Sequence, residues 1–165
     1  MHGDSTGRSA AIIGAVLTLL AGCVGTVQSG TSMLQQQFPR ASQIQEEQLA
    51  GNGAGTRLWI ARANGDTAGY AVRTVVESRS GEFPIMVIVD ARHRVRDVRV
   101  FSYTAQRGRA VQRPAFARQF AGKGRGDPIK VGQDIDAMTG ATLSSRAVAQ
   151  GVRRALRLVQ KVEEG

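Results

Sequence analysis

The hydrophobic pattern divides this 165-residue chain into three regimes. Residues 10 to 27 are almost wholly apolar, 28 to 56 are polar and end glycine-rich, and from Arg57 onward short β-branched runs give way to a helical stripe. Runs at 58–63, 69–77, 83–90 and 95–101 carry the β-branched enrichment or two-residue alternation of strands, which predicts antiparallel pairing through short connections. Asn64-Gly65-Asp66 reads as a hairpin turn longer than two residues. Pro114, with Phe116 and Phe120 four apart, predicts a short helix closed by Gly122, with both rings in the core. Residues 143–163 put Val148, Val152, Ala155, Leu156 and Val159 on one stripe, with Arg146, Arg153, Arg157 and Lys161 largely elsewhere. That is an amphipathic helix made to pack on a sheet. The expected fold class is α+β: an antiparallel sheet packed by a short helix and a long C-terminal helix, behind an N-terminal membrane anchor.

No charged residue occurs between Arg8 and Arg40, and the apolar run 10–27 is 18 residues long. A bilayer needs roughly 20, so the run is at the short end of a span. In one reading it is an uncleaved anchor with Arg8 on the cytoplasmic side. In another, Leu20-Ala-Gly-Cys23 is a bacterial lipoprotein signal and Cys23 is the lipidated new N-terminus. A third leaves Cys23 as an inert side chain within a helix. Each sends the remainder to the periplasmic, extracytoplasmic side of the cytoplasmic membrane. The expected organisation is therefore 1–28 anchor or lipoprotein signal, 29–56 stalk or linker, and 57–165 folded domain.

The net charge of +9 belongs almost entirely to that exported part. Such charge often signals nucleic acid, but export argues against that partner and favours anionic lipid headgroups or an acidic redox protein. A plain solvated basic surface competes with both. One cysteine rules out an intrachain disulfide and a cysteine-based metal cluster, and with only His2 and His93 no metal site is expected. The Arg-Gly-Asp triplet at 125–127 reads as part of a turn.

The chemistry concentrates in residues 136–145, Asp-Ala-Met-Thr-Gly-Ala-Thr-Leu-Ser-Ser, where an irregular segment feeds the last helix. Thr142 sits among residues too small to hide its hydroxyl, at a helix N-terminus whose free N–H groups attract phosphate. The plainer reading of the same cluster is helix capping by Ser144 or a neighbouring hydroxyl. Asp134 and Asp136 are both open to plain turn formation and helix-dipole compensation, the reading favoured for Asp134.

Asp136, Thr139, Gly140, Ala141 and Thr142 reproduce a D-x-x-[S/T]-G-A-T signature, which resembles that of the FMN-binding domain family. Its members include the flavoprotein subunits of the Rnf complex and of the sodium-pumping NADH:quinone oxidoreductase. The resemblance runs from about Gly69 to Val159 and includes residues 113–123, similar to the family's aromatic helix followed by a Gly-Lys turn. It implies FMN joined covalently through its phosphate to Thr142 by a flavin transferase. Asp136, Thr139, Gly140, Ala141, Leu143, Ser144 and Ser145 are then the recognition and cofactor-binding residues. Tyr103, Thr104, Arg107, Gly108, Arg118 and Lys123 are candidates for ring or phosphate contacts. The family's E-T-P-G-L-G type loop is replaced by residues 103–109, Tyr-Thr-Ala-Gln-Arg-Gly-Arg, in which only Gly108 aligns well and the usual acidic residue gives way to Ala105 or Gln106.

With no nucleotide-binding glycine fingerprint after a first strand and no Ser/His/Asp arrangement, the expected role is an electron-transfer subunit, not a complete oxidoreductase. It would serve membrane-bound or periplasmic electron-transfer proteins. A non-flavinylated structural or assembly subunit with the same fold is the alternative.

Overall fold

The computed structural model describes residues 30–47, 55–104 and 108–164. Five strands form one antiparallel meander in chain order: β1 (Gln43–Glu47), β2 (Arg57–Ala63), β3 (Asp66–Ser78), β4 (Gly81–Asp90) and β5 (Val95–Val100). Helix α1 (Gly30–Gln37) precedes the sheet, and a 3-10 turn (Arg109–Gln112), α2 (Pro114–Arg118) and α3 (Thr142–Glu164) follow it. The strand and helix types expected from 57 onward are all present.

The β2–β3 turn differs from its sequence reading. Asp66 pairs with Ala63, so the loop is Asn64-Gly65 alone, and these residues have φ of 55° and 90°. Two successive positive φ values make a type I′ turn, whose twist matches that of the flanking strands. Asp66, expected within the turn, is the first residue of β3.

Strand alternation sorts the side chains into two cores. Leu58, Ile60, Tyr70, Val72, Ile85, Val87 and Val89 face α3 and pack with Val148, Val152, Leu156 and Val159. Trp59, Ala61, Ala71, Met86 and Ile88 point the other way and pack with Met33, Leu34 and Phe38. The sheet is thus covered on both faces. Gly151 sits where α3 comes closest: a Cβ there would lie 2.5 Å from Val76 and 2.6 Å from Ile85. Phe116 and Phe120 are fully buried, edge-to-face with centroids 5.2 Å apart, as a core pair should be.

Residues 29–56 are more than the expected stalk and linker, since α1 and β1 lie within them. Met33, Leu34 and Phe38 supply the apolar surface that closes the Trp59 face. β1, with the sequence Gln-Ile-Gln-Glu-Glu, is almost wholly exposed, and its charges suit a sheet edge that must not recruit further strands. The apolar run 10–27 and Cys23 lie outside the described residues. Among the described residues no helix is long and apolar enough to cross a membrane.

Candidate functional site

The segment entering α3 is built by short polar staples. Asp134 accepts the N–H of Lys130 at 2.7 Å and that of Ile129 at 3.0 Å, and the Lys123 ammonium at 3.0 Å. Burial pushes its carboxyl up, but the Lys130 N–H, the Lys123 ammonium and the Ile129 N–H outweigh that and hold it below the usual carboxylate range. Asp134 is therefore a loop staple, in keeping with its reading as a turn former. Two residues on, the Gln119 side chain brackets Asp136, accepting its N–H at 2.7 Å and donating to its carbonyl at 3.3 Å. This fixes the backbone of Asp136 while its side chain stays exposed.

Met138 to Ala141 is a tight turn closed by the Ala141 N–H on the Met138 carbonyl at 2.8 Å, with Gly140 at φ 72°. A positive φ at the third position is the type II requirement, which gives the motif glycine a conformational reason. Ser145 locks the turn to the helix: its hydroxyl donates to the Ala141 carbonyl at 2.9 Å and accepts the Met138 N–H at 3.2 Å. Thr142 is the first residue of α3 and is exposed, as are Gly140 and Leu143. Leu143, at 47% exposure, is the one large apolar side chain left exposed among the described residues. Ala141 is buried beneath the turn.

Ser144, one of the hydroxyls expected to cap α3, makes a contact of another kind. Ser144 is buried and its hydroxyl meets that of Tyr103 at 2.8 Å. The Tyr103 ring packs edge-on against Phe83 with centroids 4.7 Å apart. Gly108, at φ 94°, closes over this pair: a Cβ there would lie 2.1 Å from the Tyr103 hydroxyl and 2.6 Å from that of Ser144. Two segments some forty residues apart are thereby joined beside Thr142. Sequence reasoning missed this junction and the Gln119 bracket, because neither partner choice has a local signature.

The other candidates are scattered. Thr104 is exposed on the loop that leaves Tyr103. Arg107, with Ala105 and Gln106, lies outside the described residues. Lys123 is committed to Asp134. Arg118 turns back onto the Pro114 carbonyl at 3.3 Å and lines a groove against β5. The exposed set at the head of α3 is thus Asp136, Thr139, Gly140, Thr142 and Leu143, whereas Tyr103, Ala141, Ser144 and Ser145 hold it from below.

Chemically, the site offers an accessible hydroxyl at the start of a 23-residue helix. Its first N–H groups have no intrahelical partner and its dipole favours an anion. Open space surrounds Gly140, where a Cβ would meet nothing within 4 Å. A phosphate ester on Thr142 fits those features.

Residues 79–157 match the FMN-binding domain family. The chain is also similar to one subunit, designated G, of the proton-translocating ferredoxin:NAD(+) oxidoreductase complex of Clostridium ljungdahlii, at 32% identity over 114 residues. That alignment covers 64% of this chain and 61% of the relative, so the chain spans less than two thirds of the relative's length. The matched region contains β4, β5, the Tyr103–Gly108 junction and Thr142, so the likeness to the FMN-binding domain family takes in the candidate site.

Proposed function

We propose that this protein carries FMN covalently, as a phosphate ester on Thr142, and works as an electron-transfer subunit of a membrane-associated redox complex on the extracytoplasmic side. The observation that carries the reading is the exposed Thr142 hydroxyl on the first turn of α3, presented by the Gly140 turn and held from beneath by Ser144 and Ser145. The family match supports FMN as the group bound, and the similarity to a component of an oxidoreductase complex supports a subunit's role.

FMN, when bound, supplies one- and two-electron redox chemistry. The chain's own residues have simpler tasks. The first-turn N–H groups of α3 would receive the phosphate oxygens, Gly140 would leave the backbone open to them, and Leu143 would offer apolar surface beside Thr142. A threonine hydroxyl needs a base to attack phosphorus, and a separate flavin transferase would supply it, taking the Thr142 proton as the leaving group departs from the flavin nucleotide's phosphate, with exposed Asp136 as a recognition carboxylate. Anchoring through the apolar run 10–27, by a span or by lipid on Cys23, keeps the domain beside its membrane-bound or periplasmic redox partners.

Mass spectrometry of the protein co-produced with an active flavin transferase tests this. An FMN phosphoester is expected on the peptide containing Thr142, absent from Thr142→Ala and retained at reduced yield in Thr142→Ser. Full flavin loading of Thr142→Ala, or an unmodified wild-type peptide, would overturn the reading.

A further inference from the structure

Among the described residues β5 is an edge of the sheet, and it opens into a groove of about 500 Å³ between that strand and the 3-10 turn and α2. Pockets that hold ligands fall in the range of roughly 300–1,000 Å³. The groove does not include Thr142, and no step proposed for the flavin uses it.

The backbone along this edge is only partly satisfied. Phe101 donates its N–H to the Pro84 carbonyl of β4, so the inward-facing groups in this register belong to Phe101, Arg99 and Asp97. Val98 and Val100 therefore turn their N–H and C=O groups outward. Earlier in the strand the same side is already paired: Val95 donates to the Lys123 carbonyl at 2.8 Å and accepts the Gly122 N–H at 2.7 Å. At Val98 no further strand pairs with β5 among the described residues, and its N–H is taken at 2.9 Å by the carboxylate of Asp97, one residue back on its own strand. The other oxygen of Asp97 holds Arg99 Nε at 2.7 Å. A side chain thus stands where a strand's carbonyl would go.

The walls indicate what kind of strand. Arg96, Arg99 and Arg118 line the groove, and its one acid, Asp97, is already paired with Arg99. The apolar surface comes from Val111, Ala117 and Phe101. We propose that this groove docks an extended, acidic segment of a partner protein, which adds to β5 as a sixth strand. Its carbonyls would take the Val98 and Val100 N–H groups while its carboxylates meet Arg96, Arg99 and Arg118. Main-chain bonds supply such affinity and alternate side-chain contacts supply its selectivity. With a charge of +9 on this chain, an acidic partner also gains from electrostatic steering.

The test uses the full chain and three labelled heptapeptides: one alternating glutamate and valine, one with lysine for glutamate, and one acidic but N-methylated at alternate amides. Fluorescence anisotropy should show binding of the first alone. The paired reversal Arg99→Glu with Arg118→Glu should weaken it at least tenfold, and hydrogen exchange at the Val98 and Val100 amides should slow in the complex. Equal binding of the N-methylated peptide, unchanged exchange at both amides, or no binding of the acidic peptide would each overturn the proposal. Because the readout needs no flavin, its failure is distinct from failure of attachment at Thr142.

Discussion

Three hydroxyls within four residues meet three different fates at the head of α3. Thr142 faces solvent, Ser144 meets Tyr103, and Ser145 ties Met138 to Ala141. The motif singled out Thr142 as the proposed attachment point through its small neighbours and its resemblance to the family signature. The inward roles of Ser144 and Ser145 depend on helical phase and on a tyrosine about forty residues away, which no local pattern encodes. The junction makes a sharp prediction. Gly108→Ala would place a methyl group against the Tyr103 hydroxyl at a positive φ, and should destabilise the fold by about 1–3 kcal/mol. Tyr103→Phe leaves the buried Ser144 hydroxyl unpaired and should cost about 1 kcal/mol, yet it removes the nearest clashing atom. The double variant should be more stable than the sum of the two losses, as urea denaturation of all four proteins would show. Leu143→Ala, by contrast, touches an exposed side chain and should leave stability within about 0.5 kcal/mol while slowing flavin loading by the transferase.

At the scale of elements, β2 to β5 and α3 were legible because burial on one face or both stamps a period on the sequence. Strands β2 to β5 and the long helix each carry several apolar positions at the proper spacing. α1 and β1 carry too few: α1 buries only Gly30, Met33 and Leu34, and β1 is an edge with a single half-buried Ile44. Their stability comes from the Trp59 face they cover, a tertiary effect invisible to local periodicity. The loop between α2 and α3 has little regular structure and depends on its staple at Asp134. That carboxylate is held ionised below its ordinary value of 3.8, so the unfolded chain binds its proton more readily than the folded one. The stabilisation is complete above that ordinary value and is lost as pH falls through the lower folded value. Stability of the wild type should therefore drop more steeply than that of Asp134→Asn as pH is lowered below about 4. Denaturation midpoints between pH 2 and 5 test this, and parallel slopes would remove Asp134 from the account.

For the whole molecule, α3 acts as a strut whose two ends do different work. Its first turn presents Thr142, and some twenty residues on, roughly 30 Å at the rise of a helix, Glu163 fastens the other end. Glu163 accepts the Tyr70 hydroxyl from β3 and lies 2.6 Å from Nε2 of His93, which occupies the β4–β5 turn at φ 58°. A carboxylate near a helix C-terminus opposes the helix dipole, so these partners offset a local cost. Burial first, and then the bond to Glu163, pushes the Tyr70 hydroxyl far above the ordinary tyrosine value of 10.0. The folded protein thus retains a proton that the unfolded chain gives up, and this contribution is full below pH 10 and declines as pH rises beyond it. Tyr70→Phe should cost about 1 kcal/mol near neutrality, where the hydroxyl bond is lost. Its deficit against wild type should shrink as pH is raised above 10, because only the wild type then carries the penalty of holding Tyr70 neutral. The chain has two tyrosines, and Tyr103 is common to both proteins, so the difference isolates Tyr70. Denaturation from pH 8 to 11.5 gives the stability difference, and flavin content of the same samples gives the second readout. Loading at Thr142 should be unchanged, since the two ends of α3 share no side chain. A loss of loading in Tyr70→Phe would mean that the strut transmits what happens at Glu163 to the attachment turn.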